Sequence, residues 1–380
     1  MVDSFVSSVD LPITDERGAR QYKMSRLGSC TKYYAAFALL FLSAIALAGC
    51  TPEDPQSTFD AVGPVARSQL NLFYWIFWTS ALVFVVMTAV ILYVVVRFRR
   101  RPGDADPEQI HGHTGLEIGW TALPVIILAV VAVPTVTAIF DNTNSPDPDG
   151  LTIEAVASQW WWEFKYPHPT EADATVVTAN ELHIPLDEVV NVRLESRDVL
   201  HSFWIPKIAG KVDMVPNNIN TIWIESEEEG QFLGQCAEFC GEAHARMRFL
   251  VVVQPRPQFD EWLAAQAEPA DVPDPESPAG QGQAIFEGND AQCWACHTIQ
   301  GSSKSRGKVG PNLTHLAGRD RIAAGVLENT ADNLRKWLKD PNAVKRGNIM
   351  SRDAKVYGDP ANSLSDEDIA DLVAYLDTLD

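Results

Sequence analysis

Positively charged side chains are scarce in this chain of 380 residues, which carries 30 Lys and Arg against 50 Asp and Glu and has a formal net charge of −20. The one compact basic run is Arg-Phe-Arg-Arg-Arg at residues 97–101. Proteins that bind nucleic acid need a basic surface to neutralise phosphates. The composition therefore argues against nucleic acid as a partner.

Cysteine is also sparse, with six residues in the whole chain. Cys50 ends the string Leu-Ala-Gly-Cys, which follows an apolar stretch and several basic residues, as in a bacterial lipoprotein signal. We expect residues 1–49, with Cys30, to be a cleaved signal peptide and Cys50 to be acylated; a plain signal anchor is the alternative. The other four cysteines fall in two cofactor-like motifs, which predicts an oxidising compartment without a structural disulfide.

Long apolar runs occur at residues 70–96 and 118–140. Each is long enough to cross a hydrocarbon core of about 30 Å at roughly 1.5 Å per helical residue. We predict a transmembrane hairpin over 70–140, preceded by an external segment at 50–69. The basic run between the two spans places their loop in the cytoplasm. The rest of the mature chain then lies on the outer face of a bacterial plasma membrane.

The remaining chain divides into three parts, since 380 residues exceed what one core usually organises. Residues 150–262 hold short, β-branched, partly alternating runs, which predict an all-β antiparallel sandwich or barrel. Residues 263–279 are acidic and rich in proline, so they predict an extended linker. Residues 280–380 have helical spacing and an N-cap at Ser365, which predict an all-α domain. The fold class is thus multidomain, with a two-helix transmembrane hairpin.

The run Cys236-Ala-Glu-Phe-Cys240-Gly-Glu-Ala-His244-Ala-Arg-Met247 packs two thiols, an imidazole and a thioether into one short segment. Soft and borderline ligands of this kind favour copper. A disulfide or a structural zinc site with a second histidine is the alternative, but zinc has little use for Met247. His201 lies upstream in the same β segment, and we expect two loops at one end of the sandwich to bring it to this cluster.

A second motif, Cys293-Trp-Ala-Cys296-His297, has the C-x-x-C-H spacing of covalent c-type haem attachment. A thiol redox motif or half a zinc site is the alternative, although no second cysteine pair follows. Haem iron bound by His297 needs a sixth ligand if it only carries electrons. The candidates after residue 280 are Met350 and His315. The loops Gly-Pro-Asn-Leu at 310–313 and Gly-Asn-Ile-Met at 347–350 resemble those of class I cytochromes c, which favours Met350.

Residues 70–256 resemble subunit II of the haem-copper cytochrome c oxidases. The added cytochrome c domain makes the chain similar to the caa3-type subunit II, and this similarity covers nearly all of the mature chain. The β segment would then have a cupredoxin-like fold with a binuclear copper centre, CuA. The resemblance implies one ligand set: His201, Cys236, Cys240, His244, Met247 and the backbone carbonyl of Glu238.

Three further positions gain a role only through this resemblance. Trp160, in Gln-Trp-Trp-Trp-Glu at 159–163, matches the residue through which electrons enter CuA, although adjacent tryptophans could simply pack the sandwich edge. The side chain of Glu238 matches a ligand of a magnesium ion shared with the catalytic subunit, which suits a hard cation. Glu117 matches a carboxylate at a proton-uptake entrance, although a solvated helix cap is the alternative.

The function implied is an electron relay within an oxidase. Cytochrome c or a bc complex would reduce the haem, the haem would reduce CuA, and CuA would reduce subunit I. Subunit I, with haem and CuB, would reduce oxygen and pump protons. Other oxidase subunits and membrane lipid are the remaining partners. Residues 150–261 hold eighteen acidic against eight basic side chains, so this surface would attract a basic donor or a basic face of the cytochrome domain, or would serve solubility alone.

Two other functions share part of this pattern. A nitrogen-oxide reductase can also use CuA, but Glu117 with Trp120 and Thr121 at the start of the second span favours the oxidase. A quinol-oxidase subunit would serve only as a scaffold, but that branch lacks the copper ligands present here.

Overall fold

The computed structural model of the protein describes residues 37–38, 40–42, 54–109 and 111–380. Cys30 and Cys50 lie outside the described residues, as does most of the predicted signal segment.

Two long helices form the hairpin, α1 at Pro64–Arg97 and α2 at Thr114–Thr143. Both are long and apolar enough to cross a membrane, and their apolar stretches are exposed. Helix α1 begins before the apolar run at 70–96, because its first turn belongs to the neighbouring domain. Val65 and Ala66 are buried there, and Arg67 pairs with Glu227 at 2.7 Å. The first span is therefore anchored directly to the β domain.

The β domain is a sandwich of two five-stranded sheets, ordered β3-β2-β1-β5-β8 and β4-β10-β9-β6-β7. Its strands are β1 Leu151–Ser158, β2 Trp161–Pro167, β3 Thr175–Ala179, β4 Glu181–Pro185, β5 Val190–Ser196, β6 His201–Trp204, β7 Lys211–Met214, β8 Asn220–Ile224, β9 Gly230–Cys236 and β10 Arg248–Gln254. Trp162, Phe203 and Phe249 interlock in the core, with ring centroids 5.0–5.9 Å apart. The predicted sandwich is confirmed.

The expectation of purely antiparallel pairing was wrong in one respect. Strands β1 and β5 pair in parallel in one sheet, and β4 and β10 pair in parallel in the other. The chain crosses between the sheets, so that β5 lies beside β1, and β10 beside β4, with the same strand direction. Alternation of apolar residues reports which face is buried, but it carries no information on strand direction.

The sandwich is extended by helix α3, Arg256–Ala267. Phe259 and Leu263 are buried against the sheet, and the Trp262 ring stacks on His183 with centroids 3.9 Å apart. The segment predicted as an extended linker therefore begins inside this helix, because these apolar side chains outweigh the polar composition around them. After α3 the chain lies along the helical domain, where the Ala270 N–H donates to Gln300 O at 3.1 Å.

The C-terminal domain is helical, as predicted. Its helices are α4 Pro278–Phe286, α5 Ala331–Lys339, α6 Pro341–Val344, α7 Ile349–Asp353, α8 Lys355–Gly358 and α9 Asp366–Leu376, with a short hairpin of β11 Arg321–Ile322 and β12 Leu327–Glu328. Helices α4 and α9 cross in close contact, and Gly282 permits this approach. A Cβ at that position would lie 2.0 Å from the Asp371 carbonyl oxygen. Phe286 and Tyr375 pack edge to face beside this crossing.

Candidate redox sites

The two strands β6 and β9 bring the first pair of predicted metal ligands together. They pair antiparallel, with Phe203 opposite Cys236, so His201 at the start of β6 lies beside the end of β9. The loop from Cys236 then turns back through Cys240 and a short 3₁₀ turn at His244–Arg246 before β10 begins. Ligands separated along the chain thus meet at one end of the sandwich.

All of the predicted copper donors converge there. The Cys236 and Cys240 Sγ atoms lie 3.7 Å apart. The His201 Nδ1 atom and the Glu238 carbonyl oxygen lie 3.8 and 3.2 Å from Cys236 Sγ. The His244 Nδ1 and Met247 Sδ atoms lie 3.5 and 3.8 Å from Cys240 Sγ. These three residues come from the segment that joins β9 to β10.

Hydrogen bonds prepare these groups for a metal. The hydrogen bond from the Cys240 thiol lowers the pKa of Cys236 well below its usual range, against the opposing effect of burial. Burial also acts to lower the pKa of His201, but its hydrogen bonds with Asp198 and Cys236 raise that pKa overall. The His201 Nε2–H donates to Asp198 Oδ1 at 2.8 Å, which leaves Nδ1 for the metal. Asp198 is a functional residue that the sequence reading missed.

The donor set fits copper. The sulfur separation greatly exceeds the roughly 2.05 Å of a disulfide, so the two thiols lie side by side without a bond. Cys236, Cys240 and Met247 are buried, which provides the dry, sulfur-rich environment that soft metals prefer. Cys236 has His201 as its neighbour and Cys240 has His244, so this donor set can hold two metal ions.

Trp160 is attached to this cluster. Its indole Nε1–H donates to the Cys240 carbonyl at 3.0 Å, and the Gln159 side chain donates to the same oxygen at 2.7 Å. Gly241, with φ of 117°, makes this fit possible, because a Cβ there would lie 3.0 Å from the Trp160 ring. The Trp160 side chain is thus hydrogen-bonded directly to the backbone of a candidate copper ligand, Cys240.

The other two positions singled out by the resemblance lie apart from these contacts. The Glu238 side chain is half-buried beside the exposed Phe239. Glu117 lies in the first turn of α2, where the His113 side chain caps the helix, and it is exposed.

The second motif lines a cleft in the helical domain. Cys293 and Cys296 flank a 3₁₀ turn, and His297 follows at once. The His297 Nδ1–H donates to the Pro311 carbonyl at 2.8 Å, which directs Nε2 into the cleft. Burial lowers the pKa of His297, so the imidazole stays neutral, the form that binds iron.

This cleft is a largely apolar cavity of about 280 Å³, and Met350 lines it together with the two cysteines and His297. His315 points elsewhere, since its two ring nitrogens lie 2.9 and 3.0 Å from the carbonyl oxygens of Asp380 and Glu268. The residues present fit a covalently attached haem with one histidine and one methionine ligand.

One wall of the same cavity comes from the sandwich. Gln159, Trp160, Trp161 and Asn180 line it, opposite the C-x-x-C-H motif. Lys345 also lines it, and this residue had no signal in the sequence. The two candidate sites therefore have Trp160 in common.

Three family models match the chain. They are described as "Cytochrome C oxidase subunit II, transmembrane domain" at residues 55–138, "Cytochrome C oxidase subunit II, periplasmic domain" at 151–254 and "Cytochrome c" at 279–380.

Similar curated proteins carry related names. Cytochrome c oxidase subunit 2 of Alkalihalophilus pseudofirmus is 36% identical over 90% of this chain and 95% of its own length. The protein of the same name from Bacillus sp. (strain PS3) is 39% identical over 90% of this chain and 96% of its own. Quinol oxidase subunit 2 of Bacillus cereus is 29% identical over 59% of this chain and 77% of its own.

Proposed function

Because the chain belongs to the subunit II family of the cytochrome c oxidases, we propose that it is the caa3-type form of that subunit. A subunit II is a component of an oxygen-reducing oxidase that works with subunit I. In our proposal the chain takes electrons from a cytochrome c or a bc complex and relays them to subunit I, where oxygen reduction drives proton pumping.

One observation carries this proposal: Trp160 belongs to both sites. Trp160 lines the cavity of the C-x-x-C-H motif, and its Nε1–H donates to the Cys240 carbonyl. When bound, the c-type haem and the copper pair supply the one-electron redox chemistry. The chain places both sites in contact with Trp160, which is buried.

We assign the copper ligands as His201, Cys236, Cys240, His244, Met247 and the Glu238 carbonyl. Support comes from the separations of 3.2–3.8 Å among their donor atoms and from their burial. With copper bound, the thiolates of Cys236 and Cys240 would hold both ions and would let one electron be shared by the pair. Such sharing changes bond lengths little, which favours fast transfer.

We assign Cys293 and Cys296 to covalent haem attachment and His297 and Met350 to the iron. The hydrogen bond of His297 to Pro311 supports its orientation, and the position of Met350 in the cavity supports its role. His315 is less suitable, because both of its nitrogens already face carbonyl oxygens.

Two finer roles complete the proposal for the site residues. Glu238 would give its carboxylate to a magnesium ion shared with subunit I, and its half-buried position next to the copper loop agrees with that. Glu117 would accept protons at an uptake entrance, and its exposed place in the first turn of α2 leaves it free to face a partner.

The placement in the membrane is also part of the proposal. Residues 70–140 form a hairpin with a cytoplasmic loop at 97–101, and 50–69 precede it outside the cell. The copper domain at 150–262, the linker at 263–279 and the cytochrome domain at 280–380 then lie on the outer face of a bacterial plasma membrane. Cys50, if acylated, adds a lipid anchor on that face.

Low-temperature electron paramagnetic resonance with metal analysis tests the proposal. The full chain is produced with copper and with c-haem maturation, then purified in detergent. We expect hyperfine structure from one electron shared by two copper nuclei, beside a low-spin haem. A mononuclear copper pattern, or zinc without a copper signal, would overturn the relay.

A further inference from the structure

Lys345 is a cation buried between the cytochrome domain and the copper domain. It is 3% exposed, and its Nζ donates to the Trp160 carbonyl at 2.5 Å and to the Ala323 carbonyl at 3.3 Å. Burial lowers the pKa of this amine to about 7, because the ammonium has lost its water. A surface lysine normally keeps its ammonium in water. This position therefore indicates a specific contact.

The Ala323 carbonyl belongs to a segment that we call the docking loop, residues 323–326 between β11 and β12. Ala323, Ala324 and Gly325 have φ of 54°, 60° and 74°, a left-handed conformation that is unfavourable for a non-glycine residue. Ala324 is buried against Trp161, and its carbonyl accepts the Arg248 N–H at 3.2 Å. Contact with the copper domain offsets the unfavourable backbone.

A buried carboxylate of the other domain holds the backbone just before the docking loop. Glu181, at the start of β4, is 5% exposed. Its Oε1 atom accepts the N–H groups of Asp320 and Arg321 at 2.8 and 3.0 Å. Burial lowers the pKa of the nearby Arg319 guanidinium to about 10, and attraction to Glu181 acts in the opposite direction. Each domain thus contributes one buried polar side chain to the other's backbone.

We infer that Lys345 and Glu181 are positioning residues that fix the cytochrome domain in one pose, with its haem cavity against Trp160 and Trp161. Lys345 lies just before the segment that carries Met350, so its ammonium joins three elements: the haem-ligand segment, the docking loop and the tryptophan that contacts Cys240. The purpose of this pose rests on the proposed relay. The contacts themselves are made by protein atoms and do not depend on that relay.

Arg346 provides a matched comparison one residue away. Its guanidinium pairs with Glu242 at 2.8 Å across the same boundary, but the two side chains are 84% and 51% exposed. Exposed ion pairs contribute little because water screens them. The pose should therefore depend on Lys345 and hardly at all on Arg346.

Hydrogen exchange of the full chain, loaded with copper and haem, tests the inference. The N–H groups of Arg248, Asp320 and Arg321 report on the pose, since their acceptors lie in the opposite domain. The N–H groups of His297 and Gly310 report on the cytochrome domain alone, since their acceptors lie within it.

We expect Lys345→Met and Glu181→Ala each to speed exchange at the three boundary amides by about ten- to a hundredfold. This is the range for losing a buried hydrogen bond that involves a charged group. Lys345→Arg and Glu181→Gln keep donors and acceptors in place, so they should restore most of the protection. Arg346→Gln should change exchange by less than about fivefold.

A second readout is the rate at which the reduced haem passes its electron to copper, measured after flash reduction. We expect it to fall in Lys345→Met and Glu181→Ala while the haem and copper spectra stay unchanged. Unaltered boundary exchange in both variants overturns the inference. Equal acceleration at His297 and Gly310 also overturns it, because Lys345 would then serve only the folding of its own domain.

The exchange result is independent of the relay itself. If the copper signal were mononuclear, the proposed function would fail while the boundary amides could still respond to Lys345. If the copper and haem signals were as expected but the amides did not respond, only the positioning role would fail.

Discussion

Met247 lies fully buried next to Cys240, with its Sδ atom 3.8 Å from the cysteine sulfur. Met247→Leu conserves volume, so we expect a loss of less than about 1.5 kcal/mol in the free energy of unfolding. The thioether disappears, so the copper spectrum and the rate of electron transfer should change. Copper-edge spectroscopy and thermal unfolding measure the two effects. An unchanged copper spectrum would falsify the ligand assignment.

Met350 offers a second test at the level of one residue. A methionine ligand raises the potential of a haem relative to a histidine ligand. Met350→His should therefore lower the midpoint potential of the haem, as measured by redox titration. His315→Gln is the control, and it should leave the potential unchanged because His315 only bonds two carbonyls. A fall in potential in His315→Gln alone would show that His315, and not Met350, is the iron ligand.

The sequence predicted the donors of each site but not the residues that support them. Cys236, Cys240, His244 and Met247 share one short segment, so their spacing reveals them. Asp198 and Lys345 act through partners that folding brings near. Lys345 is 185 positions from Trp160 along the chain, and no local pattern connects them.

At the level of elements, helix α9 begins with a capping box. The Ser365 Oγ accepts the Asp368 N–H at 3.0 Å, and Asp368 accepts the Ser365 N–H at 2.8 Å. Ser365→Ala should reduce the stability of the cytochrome domain by about 1 kcal/mol, which shifts the melting temperature of a small domain by roughly 4–8 °C. Haem absorbance during heating measures this shift.

Ser363→Ala is the matched control for the cap. Its Oγ donates to Pro360 O before the helix and accepts no N–H group of α9. We expect a change of less than about 0.5 kcal/mol. Equal losses in the two variants would show that the cap contributes no special stability.

Elements with a clear period were predictable, and those defined by distant packing were not. The short, β-branched, partly alternating runs within residues 150–262 predicted the sandwich. Helix α3 was read partly as linker, because alanine, glutamine and glutamate dominate its last turns while its anchors, Phe259 and Trp262, precede them. The docking loop was also invisible, since two alanines in left-handed conformation follow no turn signal.

At the level of the whole molecule, the orientation of the hairpin is testable. Asp106→Cys places an exposed thiol in the loop after the basic run, and Asp149→Cys places one just after α2. We expect an impermeant maleimide to label position 149 from outside intact cells, and position 106 only after the membrane is opened, because the basic loop stays inside. The unsubstituted chain measures background labelling. The reverse pattern would exclude the proposed topology.

The joining of two redox domains on one polypeptide has a kinetic consequence. Only residues 268–277 separate α3 from α4, and part of this stretch lies along the cytochrome domain. A short connection gives the second domain an effective concentration in the millimolar range. In the proposed relay, transfer between the domains is then a first-order event that dilution cannot slow. Only the delivery of electrons from outside remains a bimolecular encounter, so donor supply alone carries the dependence on concentration.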